Sequence, residues 1–164
     1  MAKRDHGLDT RIVSIDPVPR AGCDDLCDDV HRCGLEACDL SLFDDLTEGD
    51  VIFYDGSHRL LQNSDITVLY LDVFPKLPRG VLIHQHDIFW PEDYPAAWST
   101  RLYSEQYALA ILLLFRTPQL RVVMANADVS RVLSPGSFFP TVCRRLKELE
   151  RPPLFAGCSF WFEW

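Results

Sequence analysis

The chain alternates short apolar runs with segments in which apolar residues recur at helical spacing. The apolar runs predict strands at residues 11–15, 51–54, 81–84, 120–124 and 159–164. The helical spacing predicts helices at residues 23–33, 63–74, 104–115 and 138–150, with a short helical turn at residues 40–46. This alternation is typical of an α/β protein built around a βαβ sheet.

Length and charge narrow the class of protein. A chain of 164 residues favours one domain over residues 1–164, and residues 1–10, which precede the first predicted strand, are expected to be flexible. The formal net charge of -8 argues against nucleic acid or an anionic membrane surface as the main partner, since both are bound through clustered Lys and Arg. The charge fits small-molecule or cationic ligands.

Targeting segments are not evident in the sequence. The longest apolar run, residues 108–115, is too short to cross a bilayer. The basic residues near the N-terminus are not followed by the apolar segment of a secretory signal. These observations predict a protein of the reducing cytoplasm, without a membrane partner.

Four of the six cysteines fall close together. Cys23, Cys27, Cys33 and Cys38 are separated by three, five and four residues, and none of these gaps is the two-residue spacing usual in structural zinc sites. We expect free thiols in the predicted helix at residues 23–33 and its flanking loops, with a zinc site as the alternative.

Polar side chains gather where three predicted strands end. Asp16 follows the first strand, Asp55 and His58 follow the second, and His86 and Asp87 follow the third. Open α/β sheets bind ligands in the crevice outside the carboxyl ends of their strands. The sequence therefore predicts that these side chains converge on one ligand site.

The residue types at these ends suggest particular chemistry. Asp16 could accept hydrogen bonds from a ribose diol, or serve as a turn residue before Pro17. Carboxylates at residues 55 and 87 suit Mg²⁺ or Mn²⁺, and an imidazole shifts the preference toward Mn²⁺, Fe²⁺ or Zn²⁺. A bound cation would polarise a substrate hydroxyl, and His58 could then remove its proton.

Further residues are candidates for the walls of the site. We expect His86 to face it together with Asp87, and His84 to face away as a packed, hydrogen-bonded histidine. Glu105 and its two successors open the next predicted helix and could also face the site. An aromatic loop between them is interpreted as a lid or substrate wall, or as a simple cover for the end of the sheet; it contains Phe89, Trp90, Tyr94 and Trp98.

Two segments carry a resemblance to a known family. Residues 51–58 read Val-Ile-Phe-Tyr-Asp-Gly-Ser-His, and residues 80–89 read Gly-Val-Leu-Ile-His-Gln-His-Asp-Ile-Phe, with Asp65 in the helix between them. This arrangement resembles the class I S-adenosylmethionine-dependent methyltransferases of the methyltransferase 24 type. That group has a strand-Asp-x-x-His motif, a helix, a turn like Pro-Gly-Gly and a strand ending in His-Asp; here the turn reads Leu-Pro-Arg-Gly. Residues 90–107 and 157–161 are also similar to one subgroup.

The resemblance implies a Rossmann-like methyltransferase sheet with helices on both faces and an antiparallel final strand. It implies S-adenosylmethionine as cofactor and O-methyl transfer to a small molecule. Asp16 would hold the cofactor ribose and Asp39 would lie near the adenine. Asp55, His86 and Asp87 would hold a cation such as Mg²⁺ or Mn²⁺, with Asp55 and His58 in catalysis.

The chain departs from this family at its beginning. Such domains open with a strand and a glycine-rich loop, whereas no G-x-G pair precedes the second predicted strand. The family's strand order, 3-2-1-4-5-7-6, would then lack its first strand and helix, leaving backbone groups unpaired in the middle of the sheet. We expect a truncated domain. A second copy or another chain could complete it, or the strands flanking the gap could pair directly.

Two alternatives to a methyltransferase remain open. One is a non-catalytic remnant that keeps the fold and the metal site. The other, ranked last, is a metal-dependent hydrolase built on the same four residues at the second and third strand ends. It would need further ligands, and among the histidines only His6, His31 and His84 remain to supply imidazole.

Overall fold

The computed structural model describes residues 2–20, 22–132, 140–150 and 157–164. The strands within these residues are β1 (Val13–Ile15), β2 (Asp29–His31), β3 (Val51–Tyr54), β4 (Leu82–His86), β5 (Arg121–Ala125) and β6 (Ser159–Glu163). The α-helices are α1 (Ala2–His6), α2 (Asp65–Val68), α3 (Glu105–Leu114), α4 (Asn126–Val132) and α5 (Pro140–Glu148). Short 3-10 turns lie at Asp24–Leu26, Leu35–Ala37, Leu40–Phe43, Phe74–Lys76 and Ala96–Arg101. The part of the chain described contains no helix long and apolar enough to cross a membrane.

The main sheet has four strands in the order β3-β4-β6-β5. β3 and β4 run parallel, and β6 lies antiparallel between β4 and β5. The protein is therefore an α/β protein with a mixed sheet, and its last strand is antiparallel, as the resemblance implies. Because β3 and β4 are parallel, the residues that follow both strands meet at one edge of the sheet.

One face of this sheet carries the core. The helical stretch that begins at Asp65 continues from α2 through a π-helical turn, Leu69–Val73, into Phe74–Lys76. Ser64 caps it, since its hydroxyl accepts the Thr67 N–H. The fully buried apolar side chains of the stretch and the sheet pack together in one cluster; they include Ile66, Leu69, Phe74, Ile83 and Phe162.

A second, two-stranded sheet pairs β1 and β2 in parallel. The helix predicted at residues 23–33 is therefore wrong. These residues form only the 3-10 turn Asp24–Leu26, followed by β2. The acidic side chains expected on a helix face bind elsewhere: Asp28 accepts the Ile12 N–H at 2.7 Å, and Asp29 accepts from Arg11 at 2.9 Å. Asp and Cys have low helix propensity, so these contacts and the strand ladder prevail.

Within the residues that the structure describes, β1 and β3 each end their sheet with an unpaired edge. The Asp16 N–H donates to the carbonyl of His31. Because the backbone groups of successive strand residues point to opposite sides, the N–H and C=O groups of Val13 and Ile15 point away from β2. The Leu82 N–H donates to Asp50, so the same alternation turns the backbone of Phe53 away from β4. Phe53 is 66% exposed. The strands flanking the expected gap therefore do not pair directly, and that alternative is wrong.

Candidate functional site

A cleft of about 920 Å³ opens at the carboxyl ends of β1, β3 and β4. It lies between the two sheets and the loops that follow their strands. The residues that line it and bear on its chemistry are Asp16, Asp55, His58, His86, Asp87 and Tyr103. This is the edge at which the sequence predicts a ligand site, because parallel strands deliver their following residues to the same side.

Four predicted side chains come together in this cleft. Nε2 of His58 lies 3.2 Å from Oδ1 of Asp55 and 3.8 Å from Oδ2 of Asp87. Nδ1 of His86 lies 3.1 Å from Oδ1 of Asp87 and 3.7 Å from Oδ1 of Asp55. Two imidazoles thus alternate with two carboxylates, a donor set that suits proton transfer or cation binding.

Local backbone conformation aims two of these side chains. His58 has φ +59° and Asp87 has φ +55°, in the left-handed region that residues other than Gly rarely adopt. The carbonyl of His58 accepts from the N–H groups of Ser104 and Glu105 at 2.8 and 3.2 Å. The start of α3 therefore holds the His58 loop in a conformation that costs free energy on its own.

Gly56 allows the Asp55 loop to pass close to the core. A Cβ at this position would collide with the Tyr54 hydroxyl and with Oδ2 of Asp65. Those two atoms are hydrogen-bonded at 2.7 Å, and Oδ2 of Asp65 also accepts the Ser57 N–H. Asp65 therefore fixes the loop that carries Asp55 and His58, which is a supporting role the sequence analysis did not assign.

A buried network orients the His58 ring. Nδ1 of His58 lies 2.8 Å from Oε2 of Glu105, a fully buried carboxyl at the start of α3. Oε1 of Glu105 accepts from the Gln85 amide at 2.6 Å, and Gln85 is hydrogen-bonded to the Tyr70 hydroxyl. With a proton on Nδ1 donated to Glu105, Nε2 of His58 faces the cleft as a proton acceptor.

The same network sets the proton affinity of the pair. Burial alone would lower the pKa of His58, but the Glu105 hydrogen bond and charge, with the charges of Asp87 and Asp55, raise it above the usual value. Burial raises the pKa of Glu105, and the contact with His58 opposes that rise. His58 is therefore a stronger base than a free imidazole.

Cys158 is a neighbour that the sequence analysis missed. Its Sγ donates to Oδ1 of Asp87 at 3.3 Å. Burial raises the pKa of the Cys158 thiol, and the Asp87 carboxylate adds to the rise. One donor atom each from His86, Asp87 and Cys158 lies within 4.8 Å of the others. Only the order of the strands reveals this proximity, because 71 residues separate Asp87 from Cys158.

The donor atoms around Asp87 are of types that bind cations. Nδ1 of His86 is buried and, among the described residues, has no hydrogen-bond partner, although a carboxylate oxygen of Asp87 lies nearby. An orphaned buried nitrogen beside carboxylates is the arrangement that a cation would complete. Asp55 lies at the rim of this group and is closer to His58 than to His86.

The two residues predicted to bind the cofactor differ in placement. Asp16 lines the cleft, and its Oδ1 also accepts the Val18 N–H at 2.8 Å, so it combines a turn contact with a place in the cleft wall. Asp39 caps the turn Leu40–Phe43 by accepting the Ser41 N–H, and it is not among the residues lining the cleft. Its role near an adenine stays a prediction.

The expectation that His84 faces away from His86 is wrong. Residues two apart in a strand point to the same face, and the two rings lie 6.1 Å apart. His84 is packed as expected, between Phe53 at 4.2 Å and Trp161 at 4.5 Å. Its Nδ1 has no hydrogen-bond partner in the part of the chain that the structure describes. Burial lowers the pKa of His84, with a further contribution from His86.

The aromatic loop packs mainly on itself. Phe89 contacts Trp98 at 5.2 Å and Tyr94 at 6.0 Å, while Trp90 packs against the core. Tyr103, which the sequence analysis did not single out, lines the cleft with its ring 4.5 Å from that of His58. None of the four aromatic side chains of the loop is among the residues lining the cleft. The loop lies behind the cleft wall, since its Tyr94 and Trp98 rings pack against Tyr103 at 5.9 and 5.7 Å.

The residues at the start of α3 divide between two tasks. Glu105 faces His58, as described above. Gln106 is fully buried and accepts the Phe89 N–H at 3.0 Å, which holds the aromatic loop against α3. Tyr107 donates to Asp93 on the exposed side. The cysteines at residues 23, 27, 33, 38, 143 and 158 are all free thiols.

No protein-family model, curated protein or solved structure matches the chain. The resemblance to the methyltransferases therefore stays a prediction. A function has to be argued from the strand order, the cleft and the chemistry of its residues.

Proposed function

We propose that this chain is a class I S-adenosylmethionine-dependent methyltransferase domain that methylates a hydroxyl oxygen of a small molecule. The observation that carries the proposal is the single cleft, at the ends of β1, β3 and β4, that gathers Asp16 with Asp55, His58, His86 and Asp87. A cleft of about 920 Å³ lies within the size range of small-molecule and cofactor sites.

The strand order supports the proposal. If β1 and β2 correspond to strands 2 and 3 of the family's sheet, β3 and β4 correspond to strands 4 and 5. The order β3-β4-β6-β5, with β6 antiparallel, then corresponds to 4-5-7-6. The unpaired edges of β1 and β3 fall where strand 1 would lie.

The described residues fit one end of the cofactor better than the other. Asp16 offers a carboxylate for a ribose at the end of β1. S-adenosylmethionine, when bound, would supply the methyl group from its sulfonium. The chain presents no G-x-G loop before β3 for the methionine end of the cofactor, so that contact has no candidate here.

The chemistry of the methyl acceptor rests on His58. Nε2 of His58 is positioned to take the proton of a hydroxyl in the cleft as the oxygen gains the methyl group. Glu105 then bears the hydrogen bond from Nδ1 and stabilises the imidazolium, as does Asp55 at 3.2 Å from Nε2. A divalent cation, Mg²⁺ or Mn²⁺ by prediction, would be held by Asp55, His86 and Asp87 and would lower the pKa of the hydroxyl.

A second candidate is a non-catalytic protein that keeps this fold. The observation that favours it is that β1 and β3 have unpaired edges beside the cleft. Without a strand between them, the cleft has fewer backbone N–H and C=O groups with which to bind a cofactor. A metal-dependent hydrolase has weaker support, because His6 and His31 are not among the residues lining the cleft.

Calorimetric titration with S-adenosylhomocysteine tests the proposal. We expect micromolar binding by the wild-type protein, and at least tenfold weaker binding by Asp16→Asn, with Asp9→Asn as an exposed control that leaves binding unchanged. Titrations with and without Mg²⁺ or Mn²⁺ test the cation. A folded protein that gives no heat at millimolar ligand would support the non-catalytic candidate instead.

A further inference from the structure

The strand ladder, rather than a free loop, holds Cys158 in the cleft. β6 pairs with β4 so that Ser159 lies opposite His86, which places Cys158 beside Asp87. The Ile88 N–H donates to the carbonyl of Cys158 at 2.8 Å. This hydrogen bond fixes the backbone of Cys158 beside the residue that follows Asp87. A sulfur placed in this way is pre-organised, since little conformational freedom is lost when it binds a ligand.

The donor atoms around Asp87 have the spacing of a small tetrahedral metal site. Nδ1 of His86 and Sγ of Cys158 lie 3.1 and 3.3 Å from Oδ1 of Asp87. Tetrahedral zinc with bonds of 2.0–2.3 Å separates its ligand atoms by roughly 3.3–3.6 Å. The observed spacings are within a few tenths of an ångström of this range, so the ligands would need to move little.

One donor atom of this group makes no hydrogen bond within the described residues. His86 Nδ1 is buried and lacks a hydrogen-bond partner within the described residues. Carboxylate oxygens of Asp87 and Asp55 lie 3.1 and 3.7 Å from it. A shared cation would make this nitrogen and the carboxylate oxygens ligands of one centre.

We propose that Cys158 is a metal ligand and that, with His86 and Asp87, it forms a site for Zn²⁺ or a similar thiophilic ion. Thiolate and imidazole ligands favour zinc, whereas Mg²⁺ requires oxygen ligands in near-octahedral geometry. Three protein ligands leave a fourth position open, as in catalytic zinc sites. Nε2 of His58 lies 3.8 Å from Oδ2 of Asp87, so a hydroxyl held by a cation beside Asp87 would lie within reach of His58.

This inference concerns the cation of the proposed function and is independent of the methyl donor. Binding of the metal involves the deprotonated thiol, so the proton of Cys158 leaves to solvent as the sulfur–metal bond forms. Asp55, which the sequence analysis made a ligand, is assigned here to His58, its closer partner in the cleft.

Cobalt titration of the full chain under reducing, anaerobic conditions tests the inference. A Co²⁺–thiolate bond produces a charge-transfer band in the near ultraviolet, which oxygen and nitrogen ligands do not. We expect this band in the wild-type protein, its displacement by Zn²⁺ and no displacement by excess Mg²⁺. Cys158→Ser should abolish the band and weaken binding by at least about 100-fold, since even outer-shell losses cost 10–100-fold.

The cysteines at residues 23, 27, 33 and 38 are the rival source of such a band. Cys27→Ser is the matched control, because Cys27 donates to the Cys23 carbonyl and lies outside the cleft. A band that survives in Cys158→Ser and is lost in Cys27→Ser would overturn the inference. Circular dichroism checks that each variant is folded, and His86→Gln provides a second variant of the site. Loss of cobalt binding would leave the S-adenosylhomocysteine titration unaffected, so the two proposals fail separately.

Discussion

Glu105 Oε2 lies 2.8 Å from Nδ1 of His58, and both side chains are almost fully buried while Nε2 of His58 faces the cleft. The Glu105 carboxyl receives a second hydrogen bond from Gln85, so it is fixed from two sides. This relationship makes Glu105 a positioning residue: it orients the imidazole and raises its proton affinity without reaching a ligand itself.

Substitution of Glu105 by Gln should lower the pKa of His58. The amide keeps the size of the side chain but removes the negative charge and replaces the carboxylate with a weaker, neutral acceptor, and the charge and the charged acceptor are what raise that pKa. The measurement is an NMR titration of the His58 ring in metal-free protein. Glu36→Gln, which changes another carboxylate lining the cleft, is the control. An unchanged His58 pKa in Glu105→Gln would show that Glu105 does not tune the base.

Asp65 should make the protein sensitive to acid. Burial alone would raise the pKa of Asp65, but hydrogen bonds from Ser57 and Tyr54 outweigh it and lower that pKa below the usual value. A lowered pKa in the folded state stabilises the protein above the pKa of the unfolded state, about 3.9. That stabilisation is lost as the pH falls through the lower, folded-state pKa.

Urea unfolding at a series of pH values measures this effect. Asp65→Asn should lower the free energy of unfolding at neutral pH by about 1–3 kcal/mol and should flatten its decline in acid. Asp45→Asn, at an exposed position, should change neither quantity. Equal acid sensitivity in Asp65→Asn and the wild-type protein would contradict the account of Asp65.

Phe74 should be among the most costly core residues to truncate. It is fully buried, with its ring against those of Phe162 and Trp164 at 5.8 and 5.4 Å. Phe74→Ala should lower the free energy of unfolding by about 3–5 kcal/mol, because it removes apolar contacts and leaves a cavity. Phe115→Ala, at a position 82% exposed, should cost less than about 0.5 kcal/mol. Denaturant unfolding compares the two, and similar losses would contradict this core.

Leu102 offers a test of backbone strain. It has φ +57° and is 73% exposed, so its side chain contributes little packing while its backbone is held in the left-handed region. Leu102→Gly should raise the thermal midpoint, since relief of the left-handed conformation is worth about 1 kcal/mol. Leu61→Gly, an exposed leucine without a positive φ, should lower it instead. A lower midpoint in both variants would show that the residue 102 backbone is not strained.

Strand positions with strong local patterns could be predicted from the sequence. Val51–Tyr54 is a strand with the predicted bounds, and the helical stretch after it begins two residues later than predicted. The convergence of the residues that follow β3 and β4 on one cleft could also be predicted. This is because strand periodicity is local, and parallel strands place their following residues on one edge of the sheet.

Other features depend on partners far away in the chain. Residues 29–31 form a strand rather than a helix because Asp28 and Asp29 bind Lys3 and Arg11 beside a ladder with β1. The approach of Cys158 to Asp87 follows from the insertion of β6 between β4 and β5, which no local pattern specifies. Only the tertiary structure decides such pairings, since the free energy that stabilises them comes from contacts between residues far apart in the sequence.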